Sequence, residues 1–287
     1  MEETLYGIRF VSYVTAMALF GGSLVRVVIG GHAAGIDRVL RLILIAAAIL
    51  SFAATICWLM VETANMSGDL ADAINLATLK LVLSQTQFGH LWIARLAIGV
   101  ILLPLSIRGG WKSLTLAAAL SLGALAGEGH AGIGAGVIGV LRIANQTLHL
   151  LAGGLWLGGL IPLVLALAPG RLAPEPLRES VRRFSGLGYG AVSVVLATGT
   201  VNAAIFLGAP DKLLDNPWGL TLLAKLGFVG ITLGLAIVNR TVIVPGFAKD
   251  WPATRDRLRH MIYFEILAGL LVLSAVAVLG TLDPPVS

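Results

Sequence analysis

Apolar runs of about twenty residues, the length needed to cross a bilayer as a helix, recur from one end of this chain to the other. Drawn by hydropathy they fall near 6–29, 39–62, 88–107, 111–127, 143–168, 183–207, 219–244 and 259–281. Barrel strands would alternate polar and apolar at every second position, and these runs do not. Charged residues make up 12% of the chain, about half the share usual for a soluble domain. The expectation is an all-α, polytopic transmembrane bundle with about eight spanning helices, forming one membrane domain over 1–287 with lipid around it.

The net charge of +5 is placed where topology would put it. One set of connections holds Arg38 and Arg41, Arg108 and Lys112, Arg171, Arg178, Arg182 and Arg183, and then Lys249, Arg255, Arg257 and Arg259. The other set has Lys80, Arg142 and Lys212. The positive-inside rule assigns the first set to the cytoplasm and both termini to the outer, periplasmic side. Nucleic acid is not needed to explain these charges. The start, MEETLYGIRF, lacks a basic signal-peptide region, so the first helix is expected to be retained. Cys57 is the single cysteine, which excludes an intramolecular disulfide and a cysteine-pair metal motif. No P-loop or serine elbow is present, so neither nucleotide-driven transport nor hydrolysis is indicated, and the chain does not read as an enzyme.

The longest outer loop is 63–87. Within it, LADAINLATLKLVL (70–83) has the apolar spacing of an amphipathic helix lying on the outer surface. The connection 169–181 carries the proline punctuation of a turn or linker.

Polar side chains collect in the outer half. His90 opens the third segment and Arg95 follows about a turn and a half deeper. Glu128 and His130 close the fourth. His149 lies roughly 10 Å into the fifth by helical rise, with Lys225 at similar depth in the seventh and Asn202 near the outer end of the sixth. Cys57, Met60 and Glu62 finish the second, followed by Met66. Ionisable groups at such depth ask for a partner or a role. Asn145, His149, Gly153 and Trp156 share one helix face at i, i+4, i+8 and i+11. Gly154 and Gly158 form a GxxxG, read as close helix packing. Imidazoles suit copper, zinc, iron or nickel, and Cys or Met favours Cu(I). This makes His130, His149 and His90 the metal candidates, with Glu128, Glu62, Cys57, Met60, Met66, Asn145, Trp156, Arg95, Asn202 and Lys225 as auxiliary residues. Arg95 and Lys225 raise the positive potential of such a site, which favours an anionic or quinone-like ligand over a bare cation. The inner half offers His260 and Glu265 as an exit.

The blocks GHA (129–131), LHLLAGGLWLGGL (148–160), RRFSGLGYGAVSVVLATGTVNA (182–203) and WGLTLLAKLGFVGITLGLAIVNR (218–240), with FGHLWIARLAIGVILL (88–103) as a weaker match, resemble the CopD family of copper-resistance membrane proteins. That resemblance implies eight transmembrane helices, copper handling at the bacterial inner membrane and uptake of copper across it. The family's motif histidines fall on His130 and His149; His90 has no fixed counterpart. It also implies a separate periplasmic copper-binding partner of the CopC type. Two alternatives stay open: a b-type haem or quinone redox protein, and a copper-binding assembly or sensing protein without flux.

Overall fold

In a computed structural model, described for residues 2–108, 110–128, 136–248 and 250–285, every regular element is helical. The α-helices are α1 (Glu2–Ile29), α2 (Asp37–Ser67), α3 (Leu76–Gln85), α4 (Gln87–Arg108), α5 (Trp111–Ala124), α6 (Gly136–Gly153), α7 (Gly159–Ala166), α8 (Pro174–Leu207), α9 (Pro217–Val238) and α10 (Trp251–Leu279). A π-helical turn, Gly154–Gly158, fuses α6 to α7, and a second one, Asn239–Ile243, extends α9.

Among the described residues, seven helical stretches are long and apolar enough to cross a membrane. They coincide with seven of the eight segments expected from hydropathy. The remaining segment, 111–127, is α5 with a 3-10 turn at Leu125–Gly127, and its α-helical part is 14 residues long. Expected linker residues 174–181 are instead the first turns of α8, because Pro174 sits at the helix start where a missing N–H costs nothing. Likewise α10 begins at Trp251, capped by the Asp250 side chain on the Ala253 amide at 3.2 Å.

α1 is the hub. It packs on α2, α5, α7, α10 and the Gly154–Gly158 turn, and its apolar window is 78% buried against 11% for α8 and α9. Hydrocarbon tails offer no hydrophobic drive between helices, so close contact must come from small residues and satisfied polar groups. Both are present. A Cβ on Gly21 would collide with the Gly154 carbonyl, and one on Gly158 with the Met17 carbonyl, so the two backbones touch. The GxxxG thus serves packing. Buried hydroxyls bond back to their own helices, as Thr15 to Val11 O (2.7 Å), Ser23 to Leu19 O (2.6 Å) and Thr63 to Leu59 O (2.8 Å).

The 63–87 loop folds as a 3-10 turn, Leu70–Ile74, followed by α3. The Asn75 side chain caps α3 through the Ala77 amide at 3.0 Å. Leu70, Ile74, Leu76 and Leu81 are exposed, while Val82 is buried against the bundle. The end of the bundle carrying this loop is the Arg-poor end, and the opposite end is the Arg-rich end.

Candidate functional site

His149 stands on α6 facing α8. Its Nδ1 lies 2.9 Å from the Thr198 hydroxyl, and that hydroxyl lies 2.5 Å from the Val194 carbonyl. A carbonyl can only accept, so Thr198 spends its proton on Val194 and must accept from His149. The assigned tautomer is therefore Nδ1–H, leaving the Nε2 lone pair available as a ligand. Gly199 makes room for the ring, since a Cβ there would come within 3.2 Å of Cε1.

Amides extend this α6–α8 contact. Asn145 donates to Thr198 O at 3.1 Å and to Asn202 Oδ1 at 2.8 Å, and Asn202 donates to Gln146 Oε1 at 2.7 Å. These bonds lock the two helices beside the imidazole. Asn145, His149 and Asn202 are thus brought together.

A cavity of about 320 Å³ opens at this point, lined by His149, Gln146, Gly153, Trp156 and Lys225 among apolar residues of α1, α8, α9 and α10. A smaller space of about 130 Å³ continues it towards the Arg-poor end and shares Gln146, Gly199 and Lys225. Its polar lining adds Arg9, Tyr13, Glu128 and Asn202. Glu128 is 4% exposed and Arg95 3%, and the two form a buried ion pair. Arg95 also lies over Trp92 (4.6 Å to the ring centroid) and Trp58 (5.4 Å), and Arg9 covers Trp58 at 4.9 Å. The Glu128 Oε2 has no hydrogen-bond partner among the described residues.

The other expected residues lie elsewhere. His90 is exposed, its ring 3.2 Å from Ser84 O near the end of α3, and it lines neither cavity. An axial pair of His90 with His149 therefore has no cavity common to both. Cys57 and Met66 are exposed, and Met60 and Glu62 are half-buried, none of them in the lining. His130 falls outside the described residues. Among the described residues no three His, Cys, Asp or Glu side chains form a metal-ligand cluster.

Towards the Arg-rich end a second cavity, about 210 Å³, is lined by Glu265, Asn239, Arg240, Ser185, Tyr189 and Trp156. Asn239 donates to Glu265, and Arg240 donates to Ser185 O while lying over Tyr189, 3.4 Å from the centroid. Of the expected exit pair, Glu265 lines this space, whereas His260 is exposed and bonded to Asp256 O at 2.7 Å. Trp156, 6% exposed, lines both main cavities. Sequence reasoning passed over Thr198, Gln146, Tyr13 and the inward role of Arg9. Thr198 and Asn202 stand at i and i+4 in LATGTVNA, a spacing that faces one neighbour, and this was the available signal.

A multi-span helical bundle with ionisable residues gathered around a buried cavity is the architecture of a membrane protein that handles a polar ligand. The chain belongs to the copper resistance protein D family. Residues 1–140 match "Copper resistance protein D-like, N-terminal domain" and residues 178–279 match "Copper resistance protein D". His149 and Trp156 lie between the two matched stretches. Inner membrane protein YebZ of Escherichia coli (strain K12) is 32% identical over 205 residues, 70% of each chain. Copper resistance protein D of Pseudomonas syringae pv. tomato is 27% identical over 306 residues, 99% of this chain and 98% of that one. Copper transport protein CutJ of Bacillus subtilis (strain 168) is 28% identical over 77% of this chain but 42% of its own. No solved structure matches the chain.

Proposed function

We propose that this protein takes up copper across the inner membrane, receiving it from the outer side at His149. One observation carries the reading: a half-buried imidazole whose Nδ1–H is held by Thr198, with Nε2 left for ligation beside a cavity of about 320 Å³. Family membership supplies copper as the cargo. His130, two residues beyond Glu128 in sequence, is the proposed second ligand, with Glu128 offering a carboxylate or orienting it. His90 is a weaker third candidate, since its ring is engaged at the loop surface. Trp156, between the two main cavities, and Glu265 beyond it mark the proposed inward direction.

The topology that suits this function has eight crossings, the whole chain acting as one membrane domain. α5 follows α4 after a two-residue connection and packs antiparallel beside it and α1. With its 3-10 turn it spans about 27 Å, near the thickness of the hydrocarbon core. Eight crossings put both termini at the Arg-poor end, which faces the periplasm, where a separate CopC-type donor would dock. α3 lies on that face.

The test is copper binding by purified protein and by its His149→Ala and His130→Ala variants, followed by copper entry into reconstituted vesicles. Loss of binding in both variants together with protein-dependent flux supports the proposal. Unchanged stoichiometry and affinity would sink the site, and binding without flux would leave an assembly or sensing role.

A further inference from the structure

The Arg-poor cavity carries the wrong charge for a naked metal ion. Lys225 and Arg9 both line it. Among the described side chains neither makes an ion pair, and Lys225 has no hydrogen-bond partner. Arg9 is 7% exposed, and its Nε has no acceptor. Glu128 is the carboxylate in the lining, but its Oε1 is already committed to Arg95. Glu62 is close enough to Glu128 to act on it through space, yet it does not line the cavity. Among the described residues the lining thus sets two cations, Lys225 and Arg9, against one carboxylate already paired with Arg95, and beside His149 the one charge is that of Lys225.

A third donor points the same way. The amide relay runs from Asn145 to Asn202 to Gln146, ending on the Gln146 carbonyl oxygen. The Gln146 Nε2 hydrogens are left with no acceptor among the described residues, and Gln146 lines both parts of the cavity. An ammonium, a guanidinium N–H and an amide NH₂ are donors without acceptors in a membrane interior. Such groups are retained there when a ligand completes them.

We propose that this cavity binds a small inorganic anion, a halide, through Lys225 and Gln146 with Arg9 at its rim. The anion has two sources: it enters free, or it arrives as a ligand on copper. The second source rests on the copper reading above, and the first does not. In either case it offsets the Lys225 charge, so that a cation at His149 Nε2 is not repelled.

The experiment is equilibrium binding of radiolabelled chloride to detergent-purified full-length protein, with gluconate as the balancing anion, with and without Cu(I). Saturable chloride binding is expected, weakened about tenfold or more in Lys225→Gln by loss of a charge-assisted contact. Lys225→Arg keeps the charge and should retain binding, which separates this effect from misfolding. His149→Ala should lose copper yet keep copper-independent chloride. Chloride bound without copper identifies a free anion, and chloride bound only with copper identifies a metal-borne one. No saturable chloride in either condition, or full binding in Lys225→Gln, overturns the anion site. Copper binding that persists in gluconate in that event leaves the copper reading standing.

Discussion

Replacing Thr198 with valine tests the argument from hydroxyl to metal most directly. The side chain is nearly isosteric and the site is 8% exposed, so packing should survive. What disappears is the acceptor 2.9 Å from His149 Nδ1. Leaving a buried donor unpaired costs about 1–3 kcal/mol, and losing the partner that orients a metal-bound histidine typically weakens metal affinity about 10–100-fold. The Val195 carbonyl lies near enough to the ring to serve as a fallback acceptor. The expected loss is therefore at the lower end, about tenfold, or roughly 1.4 kcal/mol.

Copper affinity would be measured by competition with a chelator of known strength, on wild type, Thr198→Val, Thr198→Ser and the same changes in a His149→Ala background. Serine restores the hydroxyl and should restore affinity. Valine should have no effect once His149 is gone, because the two act as one unit. An equal loss in both backgrounds, or none in either, would refute the assigned tautomer and the role given to Nε2.

Gly158→Ala and Gly21→Ala should each lower the thermal unfolding midpoint, since either Cβ meets backbone that cannot move aside; overpacking of this kind costs about 1–3 kcal/mol. Glu128→Ala leaves Arg95 buried without its counter-charge, and a loss of about 3–5 kcal/mol is expected from the same measurement. Asp72 accepts from Thr78 Oγ1 and Asn75 Nδ2, both at 2.9 Å, and these bonds hold its carboxyl below the usual range. Because the folded pKa is depressed, this support is complete above the ordinary aspartate value near ~3.9 and fades as pH falls through the folded value. Amide exchange across 70–78 should therefore quicken on acidification in wild type and be less pH-dependent in Asp72→Asn.

Much of the architecture was legible because the bilayer restricts the options. Length and hydropathy located the C-terminal ends of the long helices to within about five residues, while α6, α8 and α10 start seven to nine residues before the expected positions, and the depth of His149 marked it before any contact was known. The errors have physical causes. Pro174, within the expected linker, looks like a break, but it sits in the first turn of α8, where the absent N–H is no loss. His90 was grouped with the site by depth alone, although its position on α4 turns it outward to Ser84. Nothing in the sequence marks Arg9 as buried; the packing of α1 at the centre of the bundle puts it over Trp58.

The two π turns sit where helix side chains meet the cavities. A π turn holds an extra residue, so side chains beyond it rotate away from the face that a 3.6-residue period assigns them. One begins directly after Gly153 and contains Trp156, which keeps the face it shares with His149 and Gly153 and lines both main cavities; the other carries Asn239 and Arg240 into the Arg-rich-end space. The first is tolerated because glycine occupies both its ends and α1 presses directly on that backbone. Packing and site geometry are therefore not separable here. The contact that lets Gly21 meet Gly154 and Gly158 also fixes where Trp156 stands relative to His149. A substitution at Gly158 should on this argument disturb copper binding at a residue it does not touch, whereas a substitution of similar size at Gly227, which has open space around it, should not.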